Sequence, residues 1–531
     1  VIRTRRRWLA FALRLAAPLL AAPLLRAQSS LAPPAAFPIA DRVTRLATAL
    51  PRIDSAMLAF AERQRVPGIA YGVIVDGRLL HVRAHGLREV PGNAPLDTSS
   101  VFRIASMTKS FTALAILQLR DAGRLALDEP AERYIPELAG LRYPTRDAPR
   151  ITVRHLLTHS AGFPEDNPWG DQQLAATDDD LAQMLRTGVP FSTVPGVQYE
   201  YSNLGFALLG RIVQNVAGQP YAQYIRERVL LPLGMTSTTM QAAEVPAGRL
   251  AHGYRLQDDR WLEEPALPDG AFGAMGGMLT SAADLSRWVA FLLDAWPARD
   301  DDDSPVLARA SRREMQLVGR MRTTVVSRDA AGALSLNAGG YGYGLGITQA
   351  CEYGHLVAHS GGLPGFGSLM RWLPEYGVGV IALGNRTYTG WGGVVDEAIG
   401  LLAATGGLVP REPQPSPVLL ALREQVTQLV QRWDQPLADR VAAMNLFLDE
   451  PAERRAAAIA RLREAAGGEC RADGPFVVEN ALRGQWTMQC ATGRLRVGIT
   501  LAPTEPARVQ QLTVQAMREG ETIRRPDICR A

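Results

Sequence analysis

Apolar and polar positions alternate along the middle of "RLLHVRAHG" (78–86), and an apolar run, "GIAYGVIV" (68–75), lies on the other side of Asp76-Gly77. Two such segments around a turn dipeptide predict a β-hairpin. Before it, "RVTRLATALPRIDSAMLAFAERQRV" (42–66) has helical spacing and predicts a helix. After "SVFRIAS", an apolar run predicts a helix over roughly 106–121, stopped by "DAGR". "ITVRHLLTHSAG" (151–162) predicts a second, short helix.

The stretch 163–330 reads as loop-rich, with helices at 178–187, 203–217, 220–229 and 281–294. "DDDD" at 300–303 reads as a solvated loop. Three apolar segments follow: "YGYGLGITQA", "HLVAHSGGLPGFGSLMRWLP" and "GVGVIALGN". They predict adjacent antiparallel strands, closed by a helix at 392–404. One antiparallel sheet built from both ends of this region, flanked by helices and interrupted by a helical insert, satisfies the order of elements. "PREPQPSP" (410–417) is a linker by composition. Beyond it, 418–465 predicts helices and 475–518 four short strands, a smaller α+β domain.

The resulting division is 1–27 export signal, 28–44 leader, 45–409 main domain, 410–417 linker and 418–531 C-terminal α+β domain of unknown role. The signal rests on a basic start, "VIRTRRRW", an apolar stretch, "LAFALRLAAPLLAAPLL", and a cleavage site after Ala27. The stretch is short and broken by Arg and Pro, so it predicts no stable membrane span after removal. Residues 1–27 hold six Arg and no Asp or Glu, so their removal takes the formal charge from +4 to −2. Such a chain has no electrostatic reason to bind nucleic acid. The predicted localisation is bacterial, periplasmic or secreted.

The four cysteines, Cys351, Cys470, Cys490 and Cys529, form no CxxC. In an oxidising compartment Cys470 and Cys490 can bridge. For Cys351, a disulfide and a buried free thiol are both open. The histidine pairs His155/His159 and His355/His359 are i,i+4, but neither has the Glu of H-E-x-x-H. No metal and no cofactor is predicted.

Charge composition singles out one residue. Of 57 Lys+Arg, Lys109 is the sole lysine. It stands three residues after Ser106, one helical turn away and on the same face. A serine hydroxyl needs a neighbouring base to become a nucleophile. Lysine can be that base when its pKa is lowered, whereas arginine does not release its proton. Two further clusters carry candidate chemistry. "QYEYSNLGFALLG" holds Tyr201, a phenol able to relay protons, and Asn203, an amide able to orient a carbonyl. "LVAHSGGLPGFG" holds His359, Ser360, Gly361 and Gly362 on a strand where backbone must approach something closely. The N–H groups of Ser106 and Gly362 are a candidate oxyanion hole.

The order Ser-x-x-Lys, Tyr-x-Asn, His-Ser-Gly resembles the serine β-lactamase and penicillin-binding-protein superfamily, in its class C β-lactamase-like branch. "ITVRHLLTHSAGF", "YSNLGFALLGRIV", "GGMLTSAADLSRW" and "YGYGLGI" extend the resemblance over roughly 45–405. It implies a β-lactamase/transpeptidase-like α+β fold, with Ser106 acylated and Lys109 and Tyr201 sharing proton transfer. Asn203 would orient the substrate, with His359, Ser360 and Gly361 beside it. His359 stands where class C β-lactamases carry Lys, a departure that removes a fixed carboxylate-binding cation. The function implied is an exported serine hydrolase of the D-peptidase or esterase type, cleaving an amide or ester, a D-amino-acid peptide among the candidates. The alternatives are a β-lactamase and a catalytically inert binding or scaffold protein. An α/β-hydrolase is excluded by order, because no histidine follows Ser360.

Overall fold

The computed structural model describes residues 33–328 and 334–525. The predicted export signal and Cys529 lie outside the described residues.

The predicted hairpin forms as β1 (Gly68–Val75) and β2 (Arg78–Glu89), with β3 (Ala94–Pro95) on its outer edge. The later part of the domain supplies β4 (Arg320–Arg328), β5 (Leu334–Tyr341), β6 (Gly346–Ala350), β7 (Gly354–Leu363), β8 (Phe366–Leu373) and β9 (Val378–Gly384). They join in one nine-stranded sheet, ordered β3-β2-β1-β9-β8-β7-β6-β5-β4. Both ends of the region meet where β1 pairs antiparallel with β9, Ile69 opposite Gly384. The three predicted apolar segments therefore hold more strands than expected. "HLVAHSGGLPGFGSLMRWLP" folds back at Pro364-Gly365 into β7 and β8. "YGYGLGITQA" contains the end of β5 and all of β6. β4, inside the stretch read as loops, is an edge strand with exposed Val325 and Val326, so its apolar residues mark no buried face.

Strand residues alternate between two cores. Ile69, Tyr71, Val73 and Val75 face one side; Ala70 and Ile74 face the other. On the first side lie α1 (Leu50–Arg63) and the helix Gly392–Ala403. The helix expected over 42–66 is two pieces, Arg42–Ala47 and Leu50–Arg63. Pro51, in the first turn of the second, has no N–H to continue a preceding helix. On the other side, α2 (Thr108–Asp121), α3 (Asn203–Ala217) and α4 (Ala282–Leu293) share one large core. α2 is buried nearly all round, which is why its sequence lacks a clean polar face.

Beyond the proline-rich segment, helices Pro417–Gln431 and Ala452–Ala465 pack with a four-stranded antiparallel sheet, Cys470–Ala516. Its strands run eight to eleven residues, longer than expected. Cys470 and Cys490 are directly opposed on neighbouring strands and form a disulfide. Cys351 is also disulfide-bonded, so the free-thiol reading does not hold. Among the described residues, no helix is long and apolar enough to cross a membrane.

Candidate active site

Ser106 sits in the single turn Ala105–Met107 that leads into α2. Ala105 has φ +50, an uncommon conformation for a residue with a Cβ, and it turns the chain sharply from strand Val101–Arg103. The turn is clamped from β7 and β8. Ser368 Oγ donates to the Ile104 carbonyl at 2.9 Å. A Cβ on Gly361 would lie 2.0 Å from that carbonyl oxygen, so only glycine allows β7 to approach so closely.

Lys109, in the first turn of α2, is fully buried. Its Nζ donates to Ser106 Oγ at 3.0 Å, to Asn203 Oδ1 at 2.7 Å and to the Met275 carbonyl at 2.8 Å. These use all three ammonium donors. None of the three acceptors carries a charge, and the Tyr201 ring lies 4.8 Å from Nζ. Burial lowers the Lys109 pKa from 10.5 to about 7, against a smaller upward pull from Asp171 and Asp166.

Tyr201 is hydrogen-bonded to Ser106, and burial holds its pKa well above 10. The phenol therefore keeps its proton near neutrality. His159 fixes the segment on both sides of it. The His159 carbonyl accepts from Glu200 N at 2.8 Å, His159 Nδ1 accepts from Ser202 N at 3.0 Å, and the two rings lie 4.2 Å apart. Because Nδ1 accepts, Nε2 carries the proton, and among the described residues it has no hydrogen-bond partner.

Asn203 opens α3, with Ser202 as its N-cap, accepting from Gly205 N at 3.3 Å. The Asp166 carboxylate accepts from Asn203 N at 2.6 Å and Leu204 N at 2.9 Å, adding a negative charge at the helix start. The Asn203 side chain is fully buried, held between Lys109 and Asn167 Oδ1 at 3.0 Å. It does not line the cleft; Asn167 does.

The cleft itself has a volume of about 940 Å³ and is lined by Ser106, Tyr201, His359, Ser360, Gly361 and Gly362 among others. β7 pairs with β8 through Leu363, but with β6 only as far as Ala358. Among the described residues, His359 to Leu363 thus have one edge without a strand partner. His359 Nδ1 donates to the Ser360 carbonyl at 2.6 Å, leaving Nε2 to accept from Tyr341 Oη at 2.9 Å. Burial, helped by the charge of Lys109, lowers its pKa to about 3. The departure from Lys therefore goes further than the loss of a fixed cation, because burial makes this histidine neutral. Across the cleft, Tyr388 Oη donates to Asp171 Oδ2 at 2.9 Å, and burial raises the Asp171 pKa to about 6.

The fold thus brings all the sequence-derived residues together. It adds His159, Asp166, Asn167, Asp171, Arg322, Tyr341 and Tyr388. His159 and Tyr341 stand in "THSAG" and "YGYGLGI", segments singled out for their likeness rather than for a role. Asp166, Asn167 and Arg322 come from stretches read as loop and carry no local signal.

A family model described as Beta-lactamase matches residues 53–405. Protein flp of Staphylococcus aureus (strain COL) is 28% identical over 340 residues, covering 63% of this chain and 62% of the relative. Penicillin-binding protein 4* of Bacillus subtilis (strain 168) is 29% identical over 320 residues, 58% of this chain and 66% of the relative. The chain therefore spans less than two thirds of the length of these relatives. Among solved structures, the octameric penicillin-binding protein homologue from Pyrococcus abyssi superposes with a TM-score of 0.57 at 23% identity, over 85% of this chain and 96% of that one.

Proposed function

The chain belongs to the beta-lactamase family of serine hydrolases, and from that premise we propose that it cleaves an amide or ester through an acyl-enzyme on Ser106. One observation carries the proposal: a buried lysine with a pKa near 7 stands 3.0 Å from the serine hydroxyl. In its neutral form Lys109 takes the Ser106 proton as Oγ attacks the substrate carbonyl carbon. The N–H groups of Ser106 and Gly362 receive the oxyanion. Tyr201, still protonated, passes a proton to the leaving oxygen or nitrogen and is reprotonated from Lys109. Water then attacks the acyl carbon and gives its proton to the same pair; the acyl–Oγ bond breaks, Ser106 Oγ takes that proton back, and the acid is released.

The substrate class rests on two features. The unpaired edge of His359–Leu363 can accept an extended backbone as an added strand, which favours a peptide. The neutral His359 offers no charge to a carboxylate at the third motif, which disfavours a β-lactamase that relies on one there. We therefore favour a D-amino-acid peptidase or esterase over a β-lactamase. Export is supported by the basic and apolar segment 1–27 and by the disulfide Cys470–Cys490.

A fluorophosphonate probe tests the chemistry. Wild type should be labelled at Ser106 and the Ser106→Ala variant not at all. An unlabelled wild type that also leaves esters, D-alanyl peptides and a chromogenic cephalosporin intact would establish the inert-scaffold alternative.

A further inference from the structure

Three cations belong to or border the cleft, and they differ in what engages them. Lys109 lies behind Ser106 and does not line the cleft. Arg371 lines it but is ion-paired with Asp396. Arg322, on β4, also lines it, is exposed, and forms no ion pair among the described residues. Its guanidinium carbon sits 5.1 Å from the centre of the Tyr199 ring. Tyr199 in turn packs against Tyr341 and His159, with centroids 5.8 Å apart in both cases. The cation is thus laid on an aromatic platform fixed to the site. Its charge reaches inward, opposing protonation of both His159 and His359.

The nearby carboxylates are committed elsewhere. Asp166 accepts from the first N–H groups of α3, and Asp171 accepts from Tyr388. Glu165 accepts from Asn167 N at 2.9 Å. An arginine fork, already oriented by stacking and without an ion pair among the described residues, suits a planar oxyanion better than a flexible ammonium would.

We propose that Arg322 forms an anion subsite at the Tyr199 end of the cleft, outside the three motifs, and that it selects substrates bearing a carboxylate. The inference rests on the hydrolase reading above for its substrate, but not for its binding. Selection then comes from the edge hairpin β4–β5, which the motifs do not cover, and not from His359.

Two pairs of probes test it, one charge placed on each side of the scissile bond. The first pair is mono-p-nitrophenyl succinate and its neutral methyl ester. The second is N-acetyl-D-alanyl-D-alanine and its C-terminal amide. In wild type, one pair should show kcat/KM about tenfold higher for the carboxylate, as one charge-assisted hydrogen bond provides. Arg322→Gln should collapse that ratio to near one; Arg322→Lys should fall between. Binding of monomethyl succinate to unreacted protein, followed by calorimetry, gives a readout free of turnover and should weaken about tenfold in Arg322→Gln. Equal carboxylate preference in wild type and Arg322→Gln for both pairs overturns the subsite. If no probe is turned over, the hydrolase reading falls, and the calorimetry alone decides Arg322: equal or absent binding in both proteins overturns it.

Discussion

Lys109 and Arg312 are both fully buried, and the charges around them differ completely. Arg312 donates from Nη1 to Asp294 Oδ2 at 3.0 Å and from Nη2 to Asp303 Oδ1 at 2.8 Å, and it stacks 4.4 Å from the Phe291 ring. Arg299 and Arg309 join the same carboxylates, so the "DDDD" segment, though exposed, is half of an ion-pair cluster and not merely a solvated loop. Lys109 receives three neutral acceptors and no carboxylate in contact. Burial with paired charge keeps a cation charged. Burial with neutral acceptors leaves a lysine able to lose its proton near pH 7. The protein uses arginine for the first task and reserves its one lysine for the second.

The largest test exchanges the two chemistries. Lys109→Arg keeps the positive charge but removes the proton acceptor, so acylation of Ser106 should fall by about 10²–10⁴-fold. Stopped-flow release of p-nitrophenol measures it. Burst rates within a few-fold of wild type would mean that charge, and not basicity, is what residue 109 supplies.

A subtler change gives Lys109 the partner that Arg312 already has. Asn203 Oδ1 is 2.7 Å from Nζ, and Asn203→Asp puts a carboxylate there at almost no change in shape. Because acylation needs neutral Lys109, wild-type kcat/KM should rise with pH through an apparent pKa of about 7. The new carboxylate favours the ammonium, so the limb should move up by about 1–3 pH units. An unmoved limb would assign it to another group.

How far the sequence reached follows the same division between local and distant partners. Ser106 and Lys109 are one turn apart, so composition and helical spacing were enough to pair them. Tyr201 and Asn203 were legible as a cluster, but the burial of the Asn203 amide was not. Its position depends on Asp166 and Asn167, thirty-six or more residues upstream in a stretch without periodicity. His359 was read from its type alone; its neutrality comes from burial in the fold and from the charge of Lys109. Strand β4 escaped because an edge strand need not alternate, and Arg322 escaped with it. The C-terminal disulfide was legible only as a bridge an oxidising compartment allows; that its cysteines oppose each other across one hairpin was not, because the first strand begins at Cys470, ahead of the 475 expected.

The stability cost of the uncompensated lysine should be visible as a pH slope. In the unfolded chain Lys109 holds its proton up to about 10.5, and in the folded chain only up to about 7. Between those values the unfolded state binds more protons, so stability rises with pH across that window. The slope is at most ~1.4 kcal/mol per pH unit. Lys109→Met has no such proton, so urea midpoints of wild type should climb relative to that variant from pH 7 to pH 10. Parallel midpoints would mean that the ammonium is not penalised by its site.

The smallest effect is expected where the comparison runs the other way. Arg312→Lys keeps a cation among the same carboxylates but gives up the planar fork, which now spans Asp294, Asp303 and the Phe291 carbonyl at once. A lysine cannot meet all three along the same directions, and it forfeits the stacking on Phe291. The expected loss is about 1–3 kcal/mol in urea denaturation, the range for hydrogen bonds to a charged group. Turnover by the folded variant should be unchanged, because none of these partners lines the cleft or touches Ser106, Lys109 or Tyr201. A folded Arg312→Lys with depressed kcat would tie the ion-pair cluster to the site through α4, whose last turn carries Phe291 and is followed by Asp294. An unchanged kcat at lowered stability would keep the two buried cations independent, one serving the fold and the other the chemistry.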